Sequence, residues 1–126
     1  MKHVKSNILN NKNFEFLKIV NFYESQIKAL DNMLKEVNEK NNNSISTLES
    51  LFFQNEFLSK QNMITEIKQN IVNHDYIITK ELVKNEDARL EQLSSHNKNI
   101  ENIIYSFEKD INELSKDFVC YISDKL

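Results

Sequence analysis

The chain contains no glycine and no proline. Glycine supplies positive-φ backbone and lets main-chain N–H groups approach a phosphate closely. Neither GxGxxG nor GxxxxGK[ST] can therefore be present, and the GxSxG nucleophile elbow is absent too. Tight hairpin turns draw on Asn-Gly, Asp-Gly or Gly-Gly, so a β-rich fold is disfavoured and helices joined by Asn- and Ser-containing turns are expected. Tryptophan is missing, and there are one Cys, two Ala and a single Arg, Arg89, in 126 residues. A lone Cys excludes an internal disulfide framework and a four-Cys zinc site. One Arg is too few for bidentate base readout, and a net charge of −3 with Lys scattered along the chain gives no phosphate-binding footprint. The longest uninterrupted apolar run, Phe118-Val119-Cys120-Tyr121-Ile122, falls far short of the about 20 residues that span a bilayer. The basic start, Met1-Lys2-His3-Val4-Lys5-Ser6-Asn7, is not followed by an apolar region, which argues against a signal peptide. These absences lead to the expectation of a cytoplasmic protein with no nucleic-acid or membrane partner, no cofactor and no evident small-molecule substrate.

What is present is asparagine, nineteen times, with fifteen Lys and fourteen Ile. An AT-rich coding sequence accounts for this bias. Helical periodicity interrupts every Asn cluster, which argues against prion-like behaviour. The length suits one domain. Residues 1–12 are polar apart from Ile8-Leu9 and are expected as a mobile N-terminal arm, with residues 13–126 forming the folded unit.

From there apolar residues fall at Phe16, Val20, Tyr23, Ile27, Leu30, Leu34 and Val37. Alternating steps of four and three are the heptad period of packed helices. The pattern stops at Asn41-Asn42-Asn43-Ser44, where Asn tolerates the left-handed geometry that ends helices. Ser44 or Ser46 can cap the next helix, with Glu49 completing a capping box. A second seam follows: Leu48, Phe52 or Phe53, Phe57, Ile64, Ile67, Ile71, His74, Ile78 and Leu82. A break near Ser59-Lys60 reads as a small register shift. Asn85 suits an N-cap, with Glu86 and Asp87 at the positive helix end. The third seam is the cleanest: Leu90, Leu93, Asn97, Ile100, Ile104, Phe107, Ile111, Leu114, Phe118 and Tyr121.

The pattern predicts helices over about residues 14–41, 46–83 and 86–124. Each seam is flanked by further apolar positions, among them Phe14, Leu17, Ile19, Phe22, Met33, Leu51, Leu58, Ile103, Val119 and Ile122. A three-helix bundle uses that wider stripe. The fold expected is therefore all-α: an antiparallel, up-down-up three-helix bundle with coiled-coil-like heptad packing. With turns centred near 43.5 and 84.5, facing residues of the first two helices have numbers summing to about 87, and those of the last two to about 169. Residues 51–58 then lie level with 29–36 and 111–118, so the apolar-rich stretches of all three helices coincide.

Several residues are candidates for chemistry. The same counting places His74 and His96 at one level on facing helices, with Asp75, Glu101 and Glu15 near. Two imidazoles with carboxylates can begin a transition-metal site, although neither HExxH nor the Glu-x-x-His motif of di-iron bundles occurs. A semi-buried, hydrogen-bonded His is the simpler reading. Asn97 sits on an apolar seam, where a buried Asn can fix register or oligomeric state. Cys120 reads as a buried, inert thiol, since no His lies at its level to act as a base. Leu51-Phe52-Phe53 spreads three apolar side chains over about 200° of helix, more than a narrow core admits. At least one is left at a margin, where it could meet a partner helix or a second copy.

The stretch Leu51-Phe52-Phe53-Gln54-Asn55-Glu56-Phe57, together with Ile71-Val72-Asn73-His74-Asp75 and Ile27-Lys28-Ala29-Leu30, resembles a group of small bacterial proteins built of three long helices and having no assigned activity. The resemblance implies the bundle and nothing catalytic. The function expected is a non-catalytic helical interaction module or small scaffold, meeting a protein partner or a second copy as a homodimer, with Leu51, Phe52, Phe53 and Leu58 as the contact surface. The alternative is a metal-binding bundle using His74, His96, Glu101 and Glu15.

Overall fold

The three seams become three helices. In the computed structural model, α1 is Lys2–Lys40, α2 is Leu48–Glu81 and α3 is Glu86–Ser123. The structure describes the backbone of residues 2–40, 48–81 and 86–125, and the side chains of residues 12–40, 48–73 and 94–125. The expected caps at Ser44, Ser46 and Asn85 lie outside the described residues. Every pair of helices is packed together, in up-down-up order. At 1.5 Å per residue α1 is about 58 Å long.

The backbone of residues 2–12, expected as an arm, continues α1 without a break. Nothing in Lys2 to Lys12 interrupts a helix, since Pro and Gly are absent and Lys, Ile and Leu sustain one. At the other end, α3 closes with a turn in which the Lys125 amide donates to the Ile122 carbonyl at 2.9 Å.

The core follows the heptads. Phe16, Val20, Ile27, Leu30, Leu34 and Val37 of α1 are buried, as are Phe53, Phe57, Ile64, Ile67 and Ile71 of α2 and the α3 seam from Ile100 to Tyr121. Over the described side chains of α2 burial keeps one phase, because Phe57, Ile64 and Ile71 are spaced by seven. The register shift expected near Ser59-Lys60 is therefore not there. Lys60 occupies the core position between Phe57 and Ile64. Its side chain is largely covered, and its ammonium reaches Glu56 at 3.6 Å. A long aliphatic stem can lie along apolar surface while its charged head reaches out, so Lys60 fills a seam position without shifting the helix.

The same phase corrects the start of the α2 seam. Ser50, seven residues before Phe57, is buried, and its hydroxyl donates to the Asn38 side-chain oxygen on α1 at 3.1 Å. Leu48, placed on the seam by sequence, projects outward. Cys120, expected to be buried, is also exposed, because it falls between the seam residues Phe118 and Tyr121 on the outer side of α3. Of the flanking apolar residues, Leu17 and Ile19 pack against the core and Ile122 joins it. Phe14, Phe22, Met33, Leu51, Leu58, Ile103 and Val119 remain exposed.

Polar groups tie the helices at separate levels. Lys68 of α2 forms a half-exposed ion pair with Glu24 of α1, at 2.9 Å. The Gln26 amide on α1 donates to the Ser115 hydroxyl on α3 at 3.2 Å. Tyr23 meets Phe107 edge to face at 6.2 Å. Partial burial and the nearby Glu108 carboxylate raise the Tyr23 phenol above its usual range, offset in part by a hydrogen bond with Asn112.

Candidate functional site

One end of the bundle concentrates its aromatic side chains. Phe53 and Phe57 of α2 pack against Phe118 of α3 with ring centroids 5.2 and 5.1 Å apart, both edge to face. Phe53 also meets Tyr121 at 5.1 Å. Edge-to-face contact sets a positive ring edge against a negative face, which adds to the burial itself. The cluster forms because Phe53 and Phe57 are one turn apart on α2, as Phe118 and Tyr121 are on α3, and the antiparallel order brings the start of α2 to the end of α3.

Over this cluster lies an open groove of about 490 Å³. Leu48, Glu49, Phe52 and Phe53 form its α2 bank, and Asp117, Cys120, Tyr121 and Asp124 its α3 bank. Phe52 is 52% exposed and Leu48 84%, whereas Phe53 is only 5% exposed. The Phe52 ring rests edge-on against Phe53, centroids 5.2 Å apart, so the exposed ring continues the buried cluster outward. Glu49, Asp117 and Asp124 are exposed along the rim. Two smaller depressions lie elsewhere, one on α3 beside Glu108 and Lys109 and one on α2 beside Lys68, Gln69 and Val72.

The four residues expected to form one contact surface are divided by the fold. Phe53 belongs to the core. Leu51 and Leu58, seven residues apart, share an exposed face of α2, and Phe52 lies about 100° around the helix from Leu51. Only Phe52 and Phe53 line the groove. Leu48 and the α3 bank were missed by sequence reasoning. The signal for Leu48 was its position two residues before Ser50, off the phase that Phe57, Ile64 and Ile71 set.

The metal candidates are not brought together among the described residues. His96, Glu101 and Glu15 are all exposed, and no group of three or more His, Cys, Asp and Glu side chains converges there. The side chain of His74 lies outside the described residues. The residue beside His96 is the one the structure singles out. Asn97 is 2% exposed, and its amide donates to the side-chain oxygen of Asn13, itself fully buried, over a long 3.4 Å. Asn13 was also missed, though it lies seven residues before Val20 and so shares its heptad position. This polar layer within the apolar core links α1 to α3.

Among the described residues no helix is long and apolar enough to cross a membrane. No protein-family model matches the chain, and no curated protein or solved structure matches it.

Proposed function

We propose that this chain is a non-catalytic helical interaction module or small scaffold. One observation carries the reading. The first turns of α2 expose four large apolar side chains, Leu48, Leu51, Phe52 and Leu58, beside a core already filled by Phe53, Phe57, Phe118 and Tyr121. Single exposed apolar residues are ordinary, but a run of them at one end of one helix is the kind of surface that meets a partner. Helix-in-groove recognition and helix-to-helix assembly both use such surfaces.

The test is a triple substitution, Leu51→Ser, Phe52→Ser and Leu58→Ser. All three side chains are exposed, so each change is expected to alter stability by no more than about 0.5–1 kcal/mol. Self-association measured by light scattering, and the set of proteins retained by the immobilised full chain, are compared between wild type and variant. The expected result is that assembly or a retained protein is lost while helical circular dichroism is kept. Identical assembly and identical retention by the two chains would overturn the reading.

A further inference from the structure

We propose that the α2–α3 groove docks an amphipathic helix of a partner protein, apolar along one face and carrying Lys or Arg along both flanks. This rests on the reading of the chain as an interaction module and supplies the chemistry of its partner. The groove lies between two antiparallel helices at the end where Leu48 and Phe52 stand out over the buried Tyr121. A third helix laid there would touch both banks, and anchors at i, i+3 or i+4, and i+7 would meet this floor.

Charge selects among helices. Glu49 stands on one bank, with Asp117 and Asp124 on the other. Residues flanking a helix–helix seam face one another, and opposite charges there support pairing. Here both banks carry the same sign. Among the described residues the ion pairs are Asp31–Lys35, Glu56–Lys60 and Glu24–Lys68, and none involves the rim. A cation beside the groove, Lys125, lies 5.7 Å from the Tyr121 ring centroid. Residues 41–47, which follow α1, contribute no charged side chain. A neutral or acidic helix would cover the apolar floor while leaving this repulsion in place, whereas basic flanks neutralise both banks together. A two-fold contact between copies of this chain would set groove against groove and carboxylate against carboxylate.

The experiment selects helices on the full chain. A displayed library of peptides about 18 residues long keeps Leu at the i, i+3, i+4 and i+7 positions and randomises the flanks among Lys, Arg, Glu and Gln. The peptide most enriched is synthesised, and its Kd is measured against wild type, Asp117→Lys/Asp124→Lys, Phe52→Ser and the remote surface variant Phe22→Ser. A neutralised chain, Glu49→Gln/Asp117→Asn/Asp124→Asn, replaces the reversed one if reversal disturbs folding. The expected result is Lys and Arg enrichment on both flanks. The expected loss of affinity is about tenfold or more with charge reversal and with Phe52→Ser, and none with Phe22→Ser. Four results would each overturn the proposal: no enrichment over the input library, flanks without a basic bias, equal binding to the charge-reversed chain, or wild-type self-association that the reversal abolishes. If selection fails while the triple Ser variant still loses a partner, only the groove's chemistry is rejected. If both fail, the interaction reading falls with it.

Discussion

Replacing Phe118 with Ala is expected to lower the stability of the bundle by about 3–5 kcal/mol. Phe118 is fully buried and stands in the middle of the aromatic layer, in ring contact with Phe53, Phe57 and Tyr121. Truncation removes its own burial and leaves a cavity walled by three rings that are held on two helices. Each of those rings also loses an edge-to-face or tilted neighbour, worth about 0.5–1.5 kcal/mol beyond burial. A small domain is stable by only about 5–15 kcal/mol, so this single change consumes a large share of the total. Urea unfolding followed by circular dichroism reads the effect. A loss below about 1 kcal/mol would mean that the start of α2 and the end of α3 are not packed on each other as described.

The second large effect concerns the buried amides. Asn97→Leu takes from Asn13 a donor that reaches it inside the core, and a loss of about 1–3 kcal/mol is expected. Asn13→Leu likewise takes an acceptor from Asn97. Changing both is expected to recover part of the loss, because the two amides no longer have to be desolvated and an apolar layer takes their place. The recovered stability carries a loss of uniqueness. An amide pair in an apolar seam favours the one alignment in which the two amides meet, and a Leu pair tolerates neighbouring alignments and other assembly sizes. The double variant is therefore expected to unfold at higher urea than either single variant while sedimenting as more than one species. A double variant that is monodisperse, and weaker by the two single losses added together, would show that the pair contributes stability and not alignment.

Much of this arrangement was legible in the heptads. The seams at 16–37 and 100–121 bury as spaced except at the partly buried Tyr23, and the α1–α3 pairing follows from counting: Asn13 and Asn97 are 84 residues apart, close to the separation of about 82 implied by the two turn centres. Antiparallel contacts were less well placed. The turn centre assigns Phe57 a partner near residue 112, yet its ring meets Phe118. Helical side chains lean toward the N-terminus of their own helix, so in an antiparallel pair both partners sit C-terminal to the level at which they touch. Long side chains exaggerate the offset. Ser50 and Asn38, both short, meet within a residue of the counted level. In a parallel pair the two leans cancel, which keeps Asn13 with Asn97 and Tyr23 with Phe107 near the counted separation, while the longer Gln26 reaches further along α3 to Ser115.

The exposed apolar residues of α2 were legible only in part, for a different reason. Leu51-Phe52-Phe53 announces that three apolar side chains cannot share one core face, but not which is excluded. The phase set by Phe57, Ile64 and Ile71 decides it, and Lys60 obscures that phase by standing where an apolar residue was expected. The acidic rim was unreadable from local sequence because Glu49 and Asp117 meet only through the fold.

Phe52 and Phe53 are neighbours in sequence and opposites in burial, one an exposed ring proposed to meet a partner and the other a core ring. The most direct measurement therefore compares Phe52→Ser with Phe53→Ser in the full chain, by urea unfolding and by binding of the selected groove peptide or retained partner. Phe53→Ser is expected to cost about 3 kcal/mol or more, while Phe52→Ser stays within about 1 kcal/mol of wild type and loses binding. Equal destabilisation by the two changes, or a Phe52→Ser chain that binds as wild type does, would contradict this division of roles.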